Sequence, residues 1–328
     1  MSSIIKKIIS KSKTFSHLSL LILRLINKKS EKEMERRKRV SLFDYKTLAK
    51  PFKVYPKFNI MENNIYGTGK ILGNGKLNVN DTLIEHGLIL GALVQKHNLY
   101  SYASNIVTFS DYRRDFIKKL SKKNIVCIGP YISYVDLILD ECTLSKLKEN
   151  LGRVLLVFPS HSIESITLQY SIPYFCNEIE KIRFDFDTVI VCLYWKDIKD
   201  GVDAEYIKRG YKVTTAGYKY DYYFLDRLKT LIYLSDFTMS NSVGTHVGYC
   251  VNLNKGHYIF KQNKEIILLE GRKGQVEFNQ RREEEWITLN EAVNEIEKAF
   301  EDININPTSS QISIVKKYWG ENNNIEKT

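Results

Sequence analysis

A regular alternation of short apolar runs with amphipathic helical patterns, between about residues 80 and 260, constrains this 328-residue chain more than any other feature of its sequence. Arg153–Phe158 and Thr188–Trp195 are two such runs, and both are rich in the branched apolar residues of buried strands. Parallel strands need a long crossover between them, usually a helix, whereas antiparallel strands can be joined by tight turns. The alternation therefore predicts an α/β fold built on parallel sheets.

The predicted elements form two groups that meet near Asn150, and the length of the chain also fits about two domains. In the first group, strands at Asn105–Phe109 and Asn124–Ile128 flank a helix at Asp111–Leu120. The second group continues the alternation after the two runs above. Its further predicted elements are strands at Tyr211–Thr215, Asp236–Met239, Tyr258–Phe260 and Ile266–Leu269, and helices at Ile163–Glu180, Ala204–Arg209, Tyr222–Leu234, Val243–Leu253 and Leu289–Phe300.

We therefore expect two Rossmann-like domains that face a cleft, because open parallel sheets bind ligands beyond the carboxyl ends of their strands. The N-terminal α/β domain is expected over 41–150 and the C-terminal α/β domain over 151–305. A basic amphipathic arm over 1–40 precedes them, and a polar tail over 306–328 follows.

Positive charge is concentrated in the arm. Residues 1–40 hold twelve lysines and arginines and three glutamates, which leaves only +2 of the net charge of +11 for residues 41–328. The apolar stretch Leu18–Ile26, interrupted by Arg24, is too short to cross a bilayer, which needs about 20 apolar residues. The pattern favours a helix lying on an anionic membrane surface. A basic leader without membrane contact and a nucleic-acid-binding arm remain open.

The rest of the composition bears on location and partners. The nearly neutral body lacks the distributed basic face of a nucleic-acid-binding domain, so we expect no nucleic acid partner. The five cysteines have no CxxC spacing, so neither a disulfide framework nor a zinc site is predicted. We expect a protein of the reducing cytoplasm, peripheral to the inner face of the cell membrane, with neither a metal nor a resident cofactor.

The run Ser240–His246 separates a predicted strand from a predicted helix. Ser240, Ser242, Gly244 and Thr245 place hydroxyl groups and a glycine where free backbone N–H groups and the positive end of a helix dipole meet, which suits phosphate. The same residue types are also favoured simply as helix N-caps, so capping remains an alternative. The run is neither a Walker P-loop nor GxGxxG, which disfavours a kinase and a dinucleotide dehydrogenase.

Polar side chains follow two other predicted strands of the C-terminal domain. Ser160 and His161 come after Phe158 through a proline turn, and Lys196 comes directly after Trp195. Their position at strand ends predicts that they face the cleft and contact a ligand. For His161, the competing interpretation is a polar residue that caps the following helix.

In the N-terminal domain, Glu85 and His86 interrupt an apolar segment and precede Gly87. A glycine lets a ligand approach the backbone closely, and an imidazole is suited to take a proton from a hydroxyl group. His86 is therefore a candidate general base, with a structural histidine as the alternative. Glu85 and Arg113 are candidate contacts to phosphate or acceptor, although a solvated helix face is the commoner role for an arginine such as Arg113.

Several phrases of the sequence resemble the GT-B-type transferases of bacterial surface-polysaccharide synthesis, namely the capsule glycosyltransferases and the CDP-glycerol glycerophosphotransferases. They are His86-Gly87, Thr108–Arg113, Cys127–Pro130, Phe158–Ser162 and Ser240–His246, within residues 80–260. The resemblance implies an N-terminal acceptor domain and a C-terminal nucleotide-donor domain.

The resemblance also implies roles for single residues. It makes His86 the catalytic base and places Ser240, Ser242, Thr245 and His246 near the donor diphosphate, with His161 beside them. The chain departs from the family pattern in one respect, because no glutamate for the donor ribose is evident after Gly244. The resemblance thus implies a glycosyltransferase that uses a nucleotide-sugar as co-substrate and a glycan or lipid-linked acceptor. A glycerophosphotransferase and a non-catalytic membrane-associated scaffold are the alternatives.

Overall fold

Three short apolar runs near the start of the alternating region form a small parallel sheet. The computed structural model describes residues 11–73, 77–163, 166–268 and 281–321. In it the three strands lie side by side in chain order. They are β1 (Thr82–Ile84), β2 (Asn105–Thr108) and β3 (Asn124–Cys127). The α/β fold with parallel sheets that the alternation predicts is confirmed.

A second parallel sheet has five strands, of which the central one is buried along its whole length. Its spatial order, counted along the chain, is third, second, first, fourth, fifth, which is typical of Rossmann-like sheets. The chain therefore reverses its winding direction between the first and fourth of these strands. The five strands are β4 (Val154–Phe158), β6 (Thr188–Cys192), β7 (Lys212–Thr214), β8 (Phe237–Ser240) and β9 (His257–Ile259).

Helices connect and cover these strands, as parallel pairing requires. The longest one in the described part of the chain is α12 (Glu283–Ala299), whose inner side carries Ala292 and Ile296. Over residues 11–73, 77–163, 166–268 and 281–321, three segments have 3₁₀ geometry: Met61–Leu72, Tyr131–Tyr134 and Arg183–Asp185. The α-helices are α1 (Lys13–Ile26), α2 (Lys28–Arg37), α3 (Tyr45–Ala49), α4 (Lys96–Tyr100), α5 (Asp111–Leu120), α6 (Glu141–Leu151), α7 (Ile172–Ile182), α8 (Trp195–Lys199), α9 (Asp203–Ile207), α10 (Phe224–Leu234), α11 (Thr245–Asn252), α12 (Glu283–Ala299) and α13 (Ser309–Trp319).

The helix predicted over Ile163–Glu180 is wrong in its first half. Strand β5 (Ile166–Gln169) occupies that half and pairs antiparallel with β10 (Glu265–Leu268), about 100 residues later in the chain. The helix itself starts only at α7, where a proline lies in the first turn. Proline fits the first turn of a helix because its missing N–H group would be unpaired there in any case.

The polar tail expected over 306–328 contains helix α13, which Thr308 and Gln311 begin with a reciprocal capping box. Trp319, at its end, is fully buried, and its indole N–H donates to the carbonyl of Thr245 at 3.0 Å. Ser110 donates to the carbonyl of Tyr318 at 2.9 Å. The last described helix therefore packs against both halves of the chain. Residues 322–328 lie outside the described residues.

At the other end of the chain, helix α1 lies on the segment that precedes the 3₁₀ helix at Met61. Arg24 donates to the carbonyl of Pro56 at 2.7 Å and to the side-chain oxygen of Asn59 at 2.8 Å. Within the described residues, no helix is long and apolar enough to cross a membrane. Residues 1–10 of the expected arm lie outside the described residues.

Candidate functional site

A pocket of about 180 Å³ opens at the carboxyl ends of β4 and β8, where the winding of the five-stranded sheet reverses. This is the position at which open α/β sheets usually bind their ligands. Residues from the first half of the chain complete its wall. The pocket is lined by Tyr66, His86, Phe158, Pro159, His161, Cys192, Leu193, Tyr194, Ala216, Phe224, Leu225, Leu228, Ser242, Val243, Gly244, Thr245, His246 and Tyr249.

Helix α11 presents its amino end to this pocket. Gly244 is its N-cap residue, in extended backbone conformation, and no side chain caps the helix. Of the capping interpretation, the structure supports Gly244 as the N-cap residue but no side-chain cap from the serine or threonine hydroxyls. Because the first N–H groups of a helix have no intrahelical partner and carry partial positive charge, this end is suited to an anion. Ser242 and Thr245 add hydroxyl groups to the same wall.

His246 lies in the first turn of α11 and stacks on Phe158, with ring centroids 4.8 Å apart. Burial, with a smaller contribution from the nearby His161, lowers the pKa of His246 to about 3. The ring is therefore neutral near pH 7 and offers a hydrogen bond rather than a positive charge. Its Nε2 atom is buried and has no hydrogen-bond partner among the described residues.

His161 follows β4 and packs its ring against Tyr194, with centroids 4.5 Å apart. The side chain keeps an exposed surface, but the surrounding walls desolvate the imidazole and lower its pKa. Its Nδ1 atom lies 3.4 Å from the carbonyl of Ser162, which is at the limit of a hydrogen bond. His161 thus lines the pocket as an aromatic and polar wall residue.

His86 reaches the pocket from the end of β1, in the other sheet. Burial lowers its pKa, the carboxylate of Glu85 opposes this shift, and the positive charge of Lys219 adds to it. An unprotonated imidazole is the form that accepts a proton. The Nδ1 atom of His86 is buried without a hydrogen-bond partner in the described part of the chain. His86 therefore lines the pocket as a neutral imidazole.

A direct hydrogen bond fixes the two walls against each other. The backbone N–H of Leu88 donates to the hydroxyl oxygen of Thr245 at 3.0 Å. A Cβ atom built on Gly87 would lie 3.6 Å from that same oxygen, which is ordinary contact. The segment that carries His86 is thus held beside the amino end of α11.

Glu85 and Arg113 do not line the pocket, which corrects the ligand contacts expected of them. Arg113 donates to the two carboxylate oxygens of Glu85 at 2.9 and 2.7 Å, and the two side chains are 1% and 0% exposed. Asn98 and Thr108 donate to the same carboxylate at 2.6 and 2.8 Å. These four hydrogen bonds use the strong acceptor positions of the Glu85 carboxylate. The pair therefore holds the chain segment next to His86 in place and is not available to a ligand.

Three further expected contacts lie outside the pocket. The N–H and hydroxyl groups of Ser160 donate to Asn241 at 2.6 and 2.8 Å. Ser240 is fully buried, where its hydroxyl donates to the carbonyl of Ser242 and lies 3.0 Å from His257. Lys196 forms an ion pair at 2.6 Å with Asp200, the residue that follows the end of its short helix. Ser160 and Ser240 thus link neighbouring strand ends, and Lys196 stabilises its own short helix.

Sequence reasoning missed Tyr66 and Tyr194, which form an aromatic wall of the pocket. Tyr66 comes from the 3₁₀ segment and has a positive φ of 56°, which is unusual for a residue with a side chain. This conformation directs its ring onto Phe224, at a centroid distance of 4.5 Å, and its hydroxyl to that of Tyr194, at 3.2 Å. Strain of this kind clusters at functional sites. The sequence hid Tyr194, because the apolar run continues through Trp195 whereas β6 ends at Cys192.

Within the described residues, no group of three or more histidine, cysteine, aspartate or glutamate side chains is placed to hold a metal ion. The carboxylates Asp185 and Asp187 precede β6 and so lie at the amino ends of the strands, whereas the pocket lies at the carboxyl ends. Asp187 accepts the N–H of Arg153 at 2.7 Å. The chain matches no protein-family model and no curated protein sequence.

Proposed function

We propose that this chain is a glycosyltransferase that moves a sugar from a nucleotide-sugar donor to a hydroxyl group of a surface glycan or lipid-linked acceptor. One observation carries the proposal: His86, from one sheet, and the uncapped amino end of α11, from the other, line the same pocket. A base and an anion-binding helix end on the walls of one pocket are the groups that such a transfer needs. The two sheets would correspond to the two domains of a GT-B arrangement.

The donor would bind with its diphosphate at the amino end of α11. Among the described residues that line the pocket there is no lysine, arginine, aspartate or glutamate, so backbone amides and the hydroxyls of Ser242 and Thr245 would meet the negative charge. The helix end contributes the equivalent of about half a positive charge. The rings of Tyr66 and Tyr194 offer flat faces on which the nucleoside or the sugar could stack.

The acceptor hydroxyl would approach from the side of His86. As its oxygen forms a bond to the anomeric carbon, its proton passes to the unprotonated imidazole of His86. The bond between the anomeric carbon and the diphosphate oxygen breaks, and the electron pair leaves with the nucleoside diphosphate. Amides at the end of α11 stabilise the charge that develops on this leaving group. The lowered pKa of His86 keeps the imidazole unprotonated at neutral pH.

The test is nucleotide release from UDP-, GDP- and CMP-sugars and from CDP-glycerol, with membrane-lipid and glycan extracts as acceptors. We expect turnover with a nucleotide-sugar, and we expect His86→Ala to lower kcat by at least 100-fold while donor binding is retained. His17→Ala is the matched control, because His17 pairs with Tyr102 away from the pocket. Turnover of CDP-glycerol alone would favour a glycerophosphotransferase. Full activity of His86→Ala would remove the base from the mechanism.

A further inference from the structure

Helix α1 has its polar and apolar sides reversed relative to a normal surface helix, which buries its apolar side. Its polar side chains face the protein. Ser16 lies 3.4 Å from the carbonyl of Asn59, His17 is 3.1 Å from the hydroxyl of Tyr102, and Arg24 donates to three oxygen atoms of residues 56–59. The helix is thus fixed to the body mainly by hydrogen bonds rather than by its apolar residues, of which Leu20 is buried.

The outer side of α1 is an exposed apolar stripe. Its members recur at intervals of three and four residues, so they lie along one face of the helix. Most are at least half exposed, although large apolar side chains are usually buried. A continuous stripe of this kind on a protein surface usually marks an interaction site. The stripe consists of Phe15 (57% exposed), Leu18 (52%), Leu21 (50%), Ile22 (47%), Leu25 (71%) and Ile26 (69%).

Charge around the stripe identifies its partner. Helix α1 contains no aspartate or glutamate, and exposed lysines lie at both of its ends: Lys11 and Lys13 before the stripe, and Lys28 and Lys29 after it. A second copy of the chain docked through this stripe would bring the two sets of lysines close together, which repulsion disfavours. An anionic lipid surface satisfies both features, since acyl chains accept the apolar stripe and head groups attract the lysines.

We propose that the apolar stripe of α1 inserts into the interface of an anionic bilayer, so that the chain binds membranes with this helix parallel to the surface. The polar inner side of α1 stays bound to the body. The proposal does not depend on the proposed enzymatic activity, because it concerns a surface that the pocket residues do not include.

The test is co-sedimentation of the full chain with phosphatidylcholine vesicles containing 30% phosphatidylserine, and with pure phosphatidylcholine vesicles. We expect binding to the anionic vesicles that is at least tenfold tighter than to the neutral ones. Replacing three stripe residues (Leu18→Ser, Ile22→Ser and Leu25→Ser) should weaken it at least tenfold. The matched control replaces Ile207, Ile303 and Ile305 with serine as well. These side chains are 46%, 49% and 46% exposed and lie outside the stripe, so the control should bind as the unmodified chain does.

A second variant keeps the proposal testable if the triple variant is unstable. Leu25→Trp places a reporter at the most exposed position of the stripe, and its fluorescence should shift to shorter wavelength with anionic vesicles. An unchanged emission spectrum, or equal binding by the stripe and control variants, would overturn the proposal. Light scattering adds a third outcome: a dimer that the stripe variant converts to a monomer, without vesicle binding, would show that the stripe is a protein interface.

Discussion

Replacing Arg113 with methionine tests whether the buried ion pair between Glu85 and Arg113, next to His86, stabilises the fold. Arg113 and Glu85 are 1% and 0% exposed, and methionine would leave the buried carboxylate with only the neutral donors Asn98 and Thr108. Removing one partner of a buried ion pair costs about 3–5 kcal/mol. With an unfolding entropy of about 2.1 cal/mol/K per residue, each kcal/mol lowers the Tm of a 328-residue chain by about 1.5 °C, so we expect a decrease of about 4–7 °C.

The assay is urea unfolding followed by circular dichroism, with a thermal melt as a second measurement. Arg114→Met is the matched control, since the neighbouring arginine pairs with an Asp111 side chain that is 70% exposed. An exposed pair of this kind contributes about 1 kcal/mol or less. The double variant Glu85→Gln/Arg113→Met should regain part of the lost stability, because no unpaired charge stays buried. Equal and small losses in Arg113→Met and Arg114→Met would refute the reasoning.

Three further predictions concern packing, acid stability and the aromatic wall. Gly248→Ala should lower the free energy of unfolding by about 1–3 kcal/mol, measured in urea, because its Cβ would lie 2.3 Å from the indole of Trp319; an unchanged value would show that α13 adapts. Between pH 7 and 5 the protein should lose stability, since the unfolded chain binds the protons that neutral His246 excludes. His246→Phe should reduce this loss by at most about 2 kcal/mol at pH 5, and an identical pH profile in the variant would contradict the assignment. Tyr66→Phe should cost about 1 kcal/mol through its lost hydroxyl contact with Tyr194, and a stability equal to that of the unmodified chain would argue against this contact.

The parts of the fold that depend on local patterns were predictable from the sequence. Helix Asp111–Leu120 begins and ends as predicted, and the strands of the five-stranded sheet lie within a few residues of their predicted bounds. The apolar run after Cys192 continues through Trp195, so periodicity alone extended β6 too far and hid Tyr194 at the strand end. Strand β5 was missed because its partner lies about 100 residues away.

For the candidate site, the sequence identified strand ends but not the direction of each side chain. His86, His161, Ser242, Gly244, Thr245 and His246 line one pocket, whereas Ser160 and Ser240 turn inward to pair with Asn241 and His257. These buried pairs join segments that are 81 and 17 residues apart, respectively. Glu85 and Arg113 are 28 residues apart in the chain, and only the tertiary structure brings them together as an ion pair. A polar residue at a strand end thus has two possible roles, and tertiary structure decides between them.

The most direct test of the central claim is a thermal-shift measurement with UDP, GDP and CDP and their sugar conjugates. If the amino end of α11 binds a diphosphate, one nucleotide at 100 times its Kd should stabilise the protein by about 2.7 kcal/mol. For 328 residues this corresponds to a rise in Tm of about 4 °C. The rise should be lost in Gly244→Val, whose side chain would occupy the pocket wall beside His246. No shift with any nucleotide, or a shift that Gly244→Val retains in full, would contradict the account.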